Sequence, residues 1–576
     1  MKKIRSTIAI SLLAVVAGAL SSCGKDERDL FWSSFGSGYS SYLDAIVEEA
    51  NVRSGANLKH VSQGAYDKTL TNMLSAMQVG KYPNIVTGYP DHFVEYAGKG
   101  VLVPLDKYIE RYKNETGKNL EDDYYTFYMR ENKEISVDDK NNPIINGLPF
   151  NKSTELMGYN GTFVDYCKSL PAYAEDHLEI VPKTWQEWAI KGPKYREVLN
   201  TLCGTGNKDG KCLFGRQDVE GNATDFVVKN SRGNKKDSEG NFVDDEGRKL
   251  LLDFVDVSVD KTRVISWDST DNMFITLIKQ WGAEYTKLPD TEKRKNPNQR
   301  KGDILFYSSE NKPKVIECLK FFKDLNNKKI FGVPGEFQQN YNSEAFEHNQ
   351  VMFMLCSSGG LSYNTDSWNQ RFRVSTLPYY DDGNGVVRKE VISQGADITL
   401  TNKIYFNKKM NAEQKDASLY SCFKAMVEMT TGDLQAEWCL QTGYYPCSKS
   451  ATENEKYQRF LNAATPEGIH EYMEEEGCTE EEAKAHAYSD ATAVAYREGA
   501  NINETQYMVA ENGWDKFVDP AFIGSATIRK VVLKVFNSLF MDLGENLSDN
   551  DYDNLLSAAV QDPELSKIST KINIVY

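Results

Sequence analysis

Ten cysteines and six histidines are the residues of this 576-residue sequence that could carry covalent or metal chemistry, and their spacing argues against most of it. No CxxC pair occurs, so zinc-ribbon ligation has no framework. His60, His92, His177, His348, His470 and His486 are scattered and no HExxH is present, which leaves a zinc hydrolase without support. TGNKDGKC (205–212) approaches a phosphate-binding loop. Thr205, however, stands where the first glycine is needed, and Cys212 where a Ser/Thr hydroxyl would hold magnesium. The chain is therefore not expected to hydrolyse ATP itself. A GxSxG elbow and a GxGxxG helix opening are also absent. Carboxylates are plentiful, but none stands out as half of a glycosidase pair. No catalytic residue, metal or cofactor is expected.

Cys23 is different. Lys2, Lys3 and Arg5 precede the mostly apolar stretch Ile8–Leu20, which is too short for the roughly 20 residues a spanning helix needs. That is the layout of a secretory signal. Leu20-Ser21-Ser22-Cys23 resembles the bacterial lipobox, which implies a lipid on the Cys23 sulfur and Cys23 as the first mature residue. The plainer reading is an ordinary signal peptide with an incidental cysteine. Residues 1–22 are read as the signal and 23–30 as a lipid-anchored linker.

The remaining chain is too long for one ordinary domain. Its hydrophobic content of 40% and aromatic content of 11% suit a globular body with real cores. No later apolar run approaches 18 residues. A formal charge of −16 repels phosphate backbones, so nucleic acid is not an expected partner. Nine further cysteines (Cys167, Cys203, Cys212, Cys318, Cys356, Cys422, Cys439, Cys447, Cys478) leave at least one thiol unpaired. Cys203 and Cys212 could close a hairpin as a disulfide; the rest could equally be buried small hydrophobes.

Strand and helix patterns alternate from the start. FWSSFG (31–36) reads as a strand, Tyr42–Val52 as a helix and Asn57–Val61 as a strand. Leu70, Met73, Leu74 and Met77 then place one apolar face on a helix over 66–79, and KYPNIVTGY leads into a third strand. This is an α/β layer plan with a largely parallel sheet. The polar stretch 230–248 reads as a hairpin or loop insertion. The basic run 293–301 and the acidic run 474–482 (on a helix) read as solvated surface, and no internal repeat is seen.

Six segments in order resemble the family 1 extracellular solute-binding proteins of ABC importers, the maltose- and glycerol-3-phosphate-binding proteins among them. They are QGAYDKTLTNMLSAMQVGKYPNIV (63–86), GKGVLVPLDKYI (98–109), LPFNKSTELMGYNGTFVD (148–165), VPKTWQEW (181–188), AFEHNQVMFMLCSSGGL (345–361) and QTGYYPCS (441–448). The resemblance implies a two-lobed, periplasmic-binding-protein-like clamshell (type II) with three crossovers, near Gly147, Gln394–Ile398 and Tyr445–Ser448. Lobe 1 would comprise 31–147 and 395–445. Lobe 2 would comprise 148–394, with insertions at about 203–262 and 286–303, and 446–576, with an insertion at about 466–512. Glycine at the first two crossovers suits hinges that absorb large φ/ψ changes.

The function implied is capture of a mono- or oligosaccharide between the lobes and delivery to ABC permease subunits, by a monomer held outside the cytoplasm on a lipid anchor. A sugar wants aromatic platforms and small polar groups. By the resemblance, Trp32, Ser33, Tyr66, Ser153, Ser357, Ser358, Gly359, Gln394, Gly395 and Tyr444 line the cleft. Trp32 and Tyr444 could instead be core aromatics, and the serines caps or turn residues. Where the glycerol-3-phosphate branch carries an acid, this chain reads Tyr89-Pro90-Asp91, so Tyr89 and Asp91 join the candidates. Arg529 is nearest to that branch's phosphate-pairing arginine but falls beyond its expected place, which favours a neutral saccharide. A polyol-phosphate binder, a surface glycoside-acting enzyme and an adhesive lipoprotein are the alternatives.

Overall fold

A computed structural model describes residues 28–205, 210–365 and 371–576; Cys23 and its preceding stretch lie outside these residues. Asp29–Ser33 pairs in parallel with Leu58–Ser62 on one side and Ile85–Gly88 on the other. Helices Ser37–Ser54 and Tyr66–Gln78 make the crossovers between them, as parallel neighbours require. The tetrapeptide Ile85–Gly88 is buried throughout, which is why it reads as a run and not as an alternation.

Two long strands carry the chain across the molecule. Leu148–Asn160 and Val387–Leu400 run antiparallel from Ile398↔Leu148 to Ser393↔Thr154. At one end Val387–Leu400 joins Ile85–Gly88 of the first lobe. At the other end Leu148–Asn160 enters a second sheet between Val351–Ser357 and Phe372–Ser375. That second sheet continues in parallel through Arg263–Trp267 to Phe331–Gly332. Tyr445 donates its backbone N–H to Lys152 O at 2.8 Å, so a third passage of chain lies beside the first.

The cores follow these sheets. Phe31, Leu43, Phe150, Phe423 and Trp438 centre one buried cluster of the first lobe. Leu70, Met73, Val86 and Phe93 form a smaller cluster on the other side of that sheet. Trp185, Trp188, Trp267, Phe322 and Phe353 belong to the large core of the second lobe. The segment VPKTWQEW is a helix start: Thr184 Oγ1 accepts from Glu187 N at 3.1 Å while Glu187 Oε2 accepts from Thr184 N at 3.2 Å. This reciprocal cap fixes the point at which Trp185 and Trp188 enter the core.

The glycines at the crossovers do different work. Gly395 has φ +104° at a bulge, and a Cβ there would lie 1.9 Å from Asn151 O. Gly147 is not left-handed; a Cβ there would meet Asn132 Oδ1 at 2.6 Å and Ile398 O at 2.9 Å, so close packing alone selects it.

The hairpin expected within 230–248 is present, Lys235–Lys236 against Phe242–Val243, and three surface expectations are refined. The polar insertion is part of a five-stranded antiparallel sheet within 212–253, built on a turn pattern that the sequence repeats. Asp218, Asp237 and Asp244 each open an Asp-x-Glu-Gly turn and accept the N–H groups two and four residues on. The basic run 293–301 is not wholly solvated. Arg300 is 1% exposed, donating to Glu134 O at 2.6 Å and to Lys295 O and Lys293 O. The acidic run breaks at Gly477 into two helices, Pro466–Glu476 and Glu480–Ala487. Cys203 and Cys212 form no disulfide. All nine cysteines after Cys23 are free, and all but Cys478 are buried.

Candidate functional site

The floor of the cleft is set by strand alternation. Asn151, Ser153 and Glu155 share one face of Leu148–Asn160, because successive side chains point to opposite faces. Their cross-strand neighbours share that face: Gln394 opposite Ser153, and Ser357 opposite Glu155. Gln394 Nε2 donates to Glu155 Oε1 at 2.5 Å, and Asn272 Nδ2 donates to the same oxygen at 3.0 Å. Burial pushes the Glu155 carboxyl up to about 7, against the pull of the Gln394 bond.

One wall is aromatic. Tyr66 stacks on Tyr89 with centroids 4.4 Å apart, and Asn151 Nδ2 donates to Tyr66 Oη at 3.0 Å. Tyr444 packs edge-on to Phe35 at 6.3 Å, as does Tyr66 at 6.2 Å. Tyr444 also covers Gly359 so closely that a Cβ there would lie 2.9 Å from its ring. Burial raises the phenol pKa values of Tyr66, Tyr89 and Tyr444, so all three remain protonated donors.

The opposite wall is ionic. Arg529, on helix Ser525–Asn537, donates to Asp271 Oδ2 at 2.9 Å, Asn272 Oδ1 at 2.8 Å and Asp519 Oδ2 at 2.9 Å. Asp91 acts electrostatically on both Arg529 and Tyr89, which joins this wall to the aromatic one. Asp268, beside Glu155, is likewise pushed up to about 7 by burial, against the pull of a bond from Asn342 N. The lobes touch at both ends of the cleft. Tyr39 Oη meets Ser362 Oγ at 3.4 Å, and Gly524 N donates to Glu95 Oε1 at 3.2 Å.

Beneath the floor lies a buried ionic cluster made by the crossovers. Lys152, on the opposite strand face, reaches Glu131 Oε2 at 2.9 Å and Asp397 Oδ1 at 2.8 Å. Both carboxyls are raised by burial, Glu131 to about 7, while the two carboxylates hold Lys152 above its ordinary value despite burial. Lys516 stands near, lowered to about 7 by burial and bonded to Tyr128 Oη at 2.8 Å and Asn503 Oδ1 at 2.7 Å.

The structure thus gathers Tyr66, Tyr89, Asp91, Ser153, Ser357, Gly359, Gln394, Gly395 and Tyr444, with Ser358 buried at the start of a 3₁₀ turn. Trp32 and Ser33 are engaged elsewhere. Trp32 packs half-buried against the Leu70–Met73 cluster. Ser33 is fully buried, its hydroxyl 2.6 Å from His60 Nε2. Arg529 stands in the cleft after all, but bound by two aspartates. Sequence reasoning missed Asn151 and Glu155, although their i±2 spacing from Ser153 was a usable signal. It also missed Asp271 and Asn272, which helix packing brings to Arg529, and Asp519, which the turn leading into its own helix brings. Among the described residues there is no group of metal-ligating side chains and no helix long and apolar enough to cross a membrane.

Solved structures share this fold. UgpB from Mycobacterium tuberculosis, solved with glycerophosphocholine, is 14% identical with a TM-score of 0.57, covering 94% of this chain and 99% of its own. The cyclic alpha-maltosyl-1,6-maltose binding protein of Arthrobacter globiformis is 14% identical with a TM-score of 0.53, over 93% and 97%. The maltose/maltodextrin-binding domain MalE of Bdellovibrio bacteriovorus, bound to maltotriose, is 12% identical with a TM-score of 0.52, over 93% and 100%. At such identities these show the fold. No curated protein matches. The family model described as bacterial extracellular solute-binding protein matches residues 45–465, most of the chain and both crossing strands, and the chain belongs to that family.

Proposed function

We propose that this protein captures a carbohydrate between its lobes and delivers it to the permease of an ABC importer, tethered outside the cytoplasm by a lipid on Cys23. The observation that carries the reading is the interlobe ring of tyrosine faces and small polar groups on the hinge strands, suited to a sugar's C–H faces and hydroxyls. Structural neighbours that bind cyclic and linear oligosaccharides support it. A polyol phosphodiester is the second reading, favoured by Arg529 in the cleft and by the glycerophosphocholine of UgpB. Two aspartates already offset that guanidinium, which leaves a phosphate without a free cation.

A thermal-shift panel of saccharides and polyol phosphates tests the choice. A true ligand at a hundredfold excess over Kd adds about 2.7 kcal/mol to the folded state. Tyr444→Ala is expected to weaken binding by on the order of 1–3 kcal/mol, measured on protein whose apo melting curve shows that it still folds after losing its contacts with Phe35 and Gly359. Stabilisation by phosphodiesters alone, or turnover of a bound sugar, would sink the proposal. The anchor is tested separately. Cys23→Ala should shift the protein out of the membrane fraction, whereas a variant that survives a carbonate wash in that fraction has another attachment.

A further inference from the structure

The cleft is short of positive charge. Asn151 and Glu155, 0% and 1% exposed, each present one oxygen with no partner, Asn151 Oδ1 and Glu155 Oε2. Both belong to the strand face that forms the floor, on either side of Ser153. Asp91 on the wall adds a third such oxygen, Oδ1, with His92 Nε2 at 3.8 Å and the charge of Arg529 acting on its carboxylate. Burial lowers the His92 pKa, so that ring is neutral. A buried acceptor without a partner costs free energy, and a buried carboxylate without a counter-ion costs more.

The surrounding charge does not supply the missing cation. Asp271, Asp519 and Asp91 gather around one guanidinium, with Glu155 and Asp268 adding charge beside Asp271, and Arg529 is committed to Asp271, Asn272 and Asp519. Lys530 turns instead to Asp67, at 3.3 Å. Lys152 is on the other face of the strand, held by Glu131 and Asp397. A neutral sugar would satisfy the three oxygens with hydroxyls while Glu155, at about 7, keeps its proton much of the time; a bound cation would take that proton's place beside the carboxylate. An ammonium would supply both donors and charge.

We infer that the ligand is an amino sugar, a saccharide bearing a free protonated amine, read by Glu155 and Asp91 with Asn151 completing the donor count. The inference rests on the carbohydrate reading above and narrows it. Phosphorylated and acidic sugars are rejected by the same surplus of carboxylates.

The experiment is calorimetric titration of the mature protein with glucosamine, galactosamine and mannosamine and their disaccharides, beside the N-acetylated and parent neutral forms. At neutral pH at least one amine should bind tenfold or more tightly than both its acetylated and its neutral counterpart. Glu155→Gln keeps the oxygen that Gln394 and Asn272 use while removing the charge, and Asp91→Asn does the same on the wall. Each should abolish that preference, read within one variant as the ratio of amine to neutral affinity, whatever the change in the neutral form's own affinity. Apo melting curves of both variants establish that they fold. Equal binding of amine and neutral forms overturns the inference and leaves the carbohydrate reading standing. Binding by none of the panel overturns both. If amine preference persists in both variants, the charge sensor is not at these residues and the assignment fails.

Discussion

Gly395→Ala is expected to cost the fold on the order of 3 kcal/mol or more, seen as a lower denaturant midpoint or as loss of soluble protein. Two effects add. The residue has φ +104°, a conformation that a β-carbon disfavours by about 1–3 kcal/mol. A Cβ would also stand 1.9 Å from Asn151 O and 2.8 Å from Lys152 Cα, both backbone atoms of the neighbouring crossover. The two crossing strands would have to part where Gln394 and Ser153 face each other. Gly385→Ala is the matched control. Gly385 has φ +102°, and a Cβ there would meet nothing within 4 Å. It should show the backbone cost alone. Equal losses at the two positions would mean that the close approach to Asn151 contributes nothing.

Lys152→Met should be comparably damaging, by about 3–5 kcal/mol, because it leaves Glu131 and Asp397 buried without the cation they both contact, with only Lys516, itself held by Tyr128 and Asn503, nearby. The pH dependence separates this from simple loss of packing. In the native protein Glu131 titrates near 7, above its ordinary 4.5, so the folded state takes up its proton more readily than the unfolded chain. Its contribution to stability is greatest below about 4.5 and is lost as pH rises through 7. Without Lys152 both carboxyls are pushed higher still. The variant's deficit should therefore be largest above pH 7 and shrink steadily on acidification. Unfolding midpoints of native and variant protein at pH 5 and pH 8 measure it, and a deficit that does not change with pH would assign the loss to packing.

The scaffold was easier to read than the cleft. Strand, helix and strand over 29–88 follow from local apolar periodicity, and six ordered segments indicate two lobes. The cleft depends on which face each residue takes, and one residue of register reverses that. Trp32 points to the small core under the helices and Ser33 to His60, so neither reaches the ring although both end the first strand. Ser153 was recognisable as a motif position, while Asn151 and Glu155 needed only the alternation of the same strand. Arg529 illustrates the opposite limit. Its partners Asp271 and Asp519 lie 258 and 10 residues away; the docking of helix Ser525–Asn537 on Thr270–Gln280 brings the first, and the turn leading into its own helix brings the second. Arg300 looked like one charge in a basic run, yet it caps carbonyls of Glu134, Lys293 and Lys295 from a buried position.

The buried cysteines place chemical ageing under the control of the fold. Exchange and oxidation proceed through the thiolate. Burial holds Cys203, Cys212 and Cys447 at about 12 and Cys167, Cys318, Cys356, Cys422 and Cys439 well above their ordinary value. Outside the cytoplasm, where the family works, oxidants are at hand. Each of these thiols reacts only in the fraction of time its surroundings stand open. The rate of damage then scales with the open fraction as well as with the oxidant, and the opening that matters is local unfolding of a lobe's core, not the hinge motion between lobes. A copy that opens for long can cross-link and not return, so damaged molecules remove themselves from the binding pool.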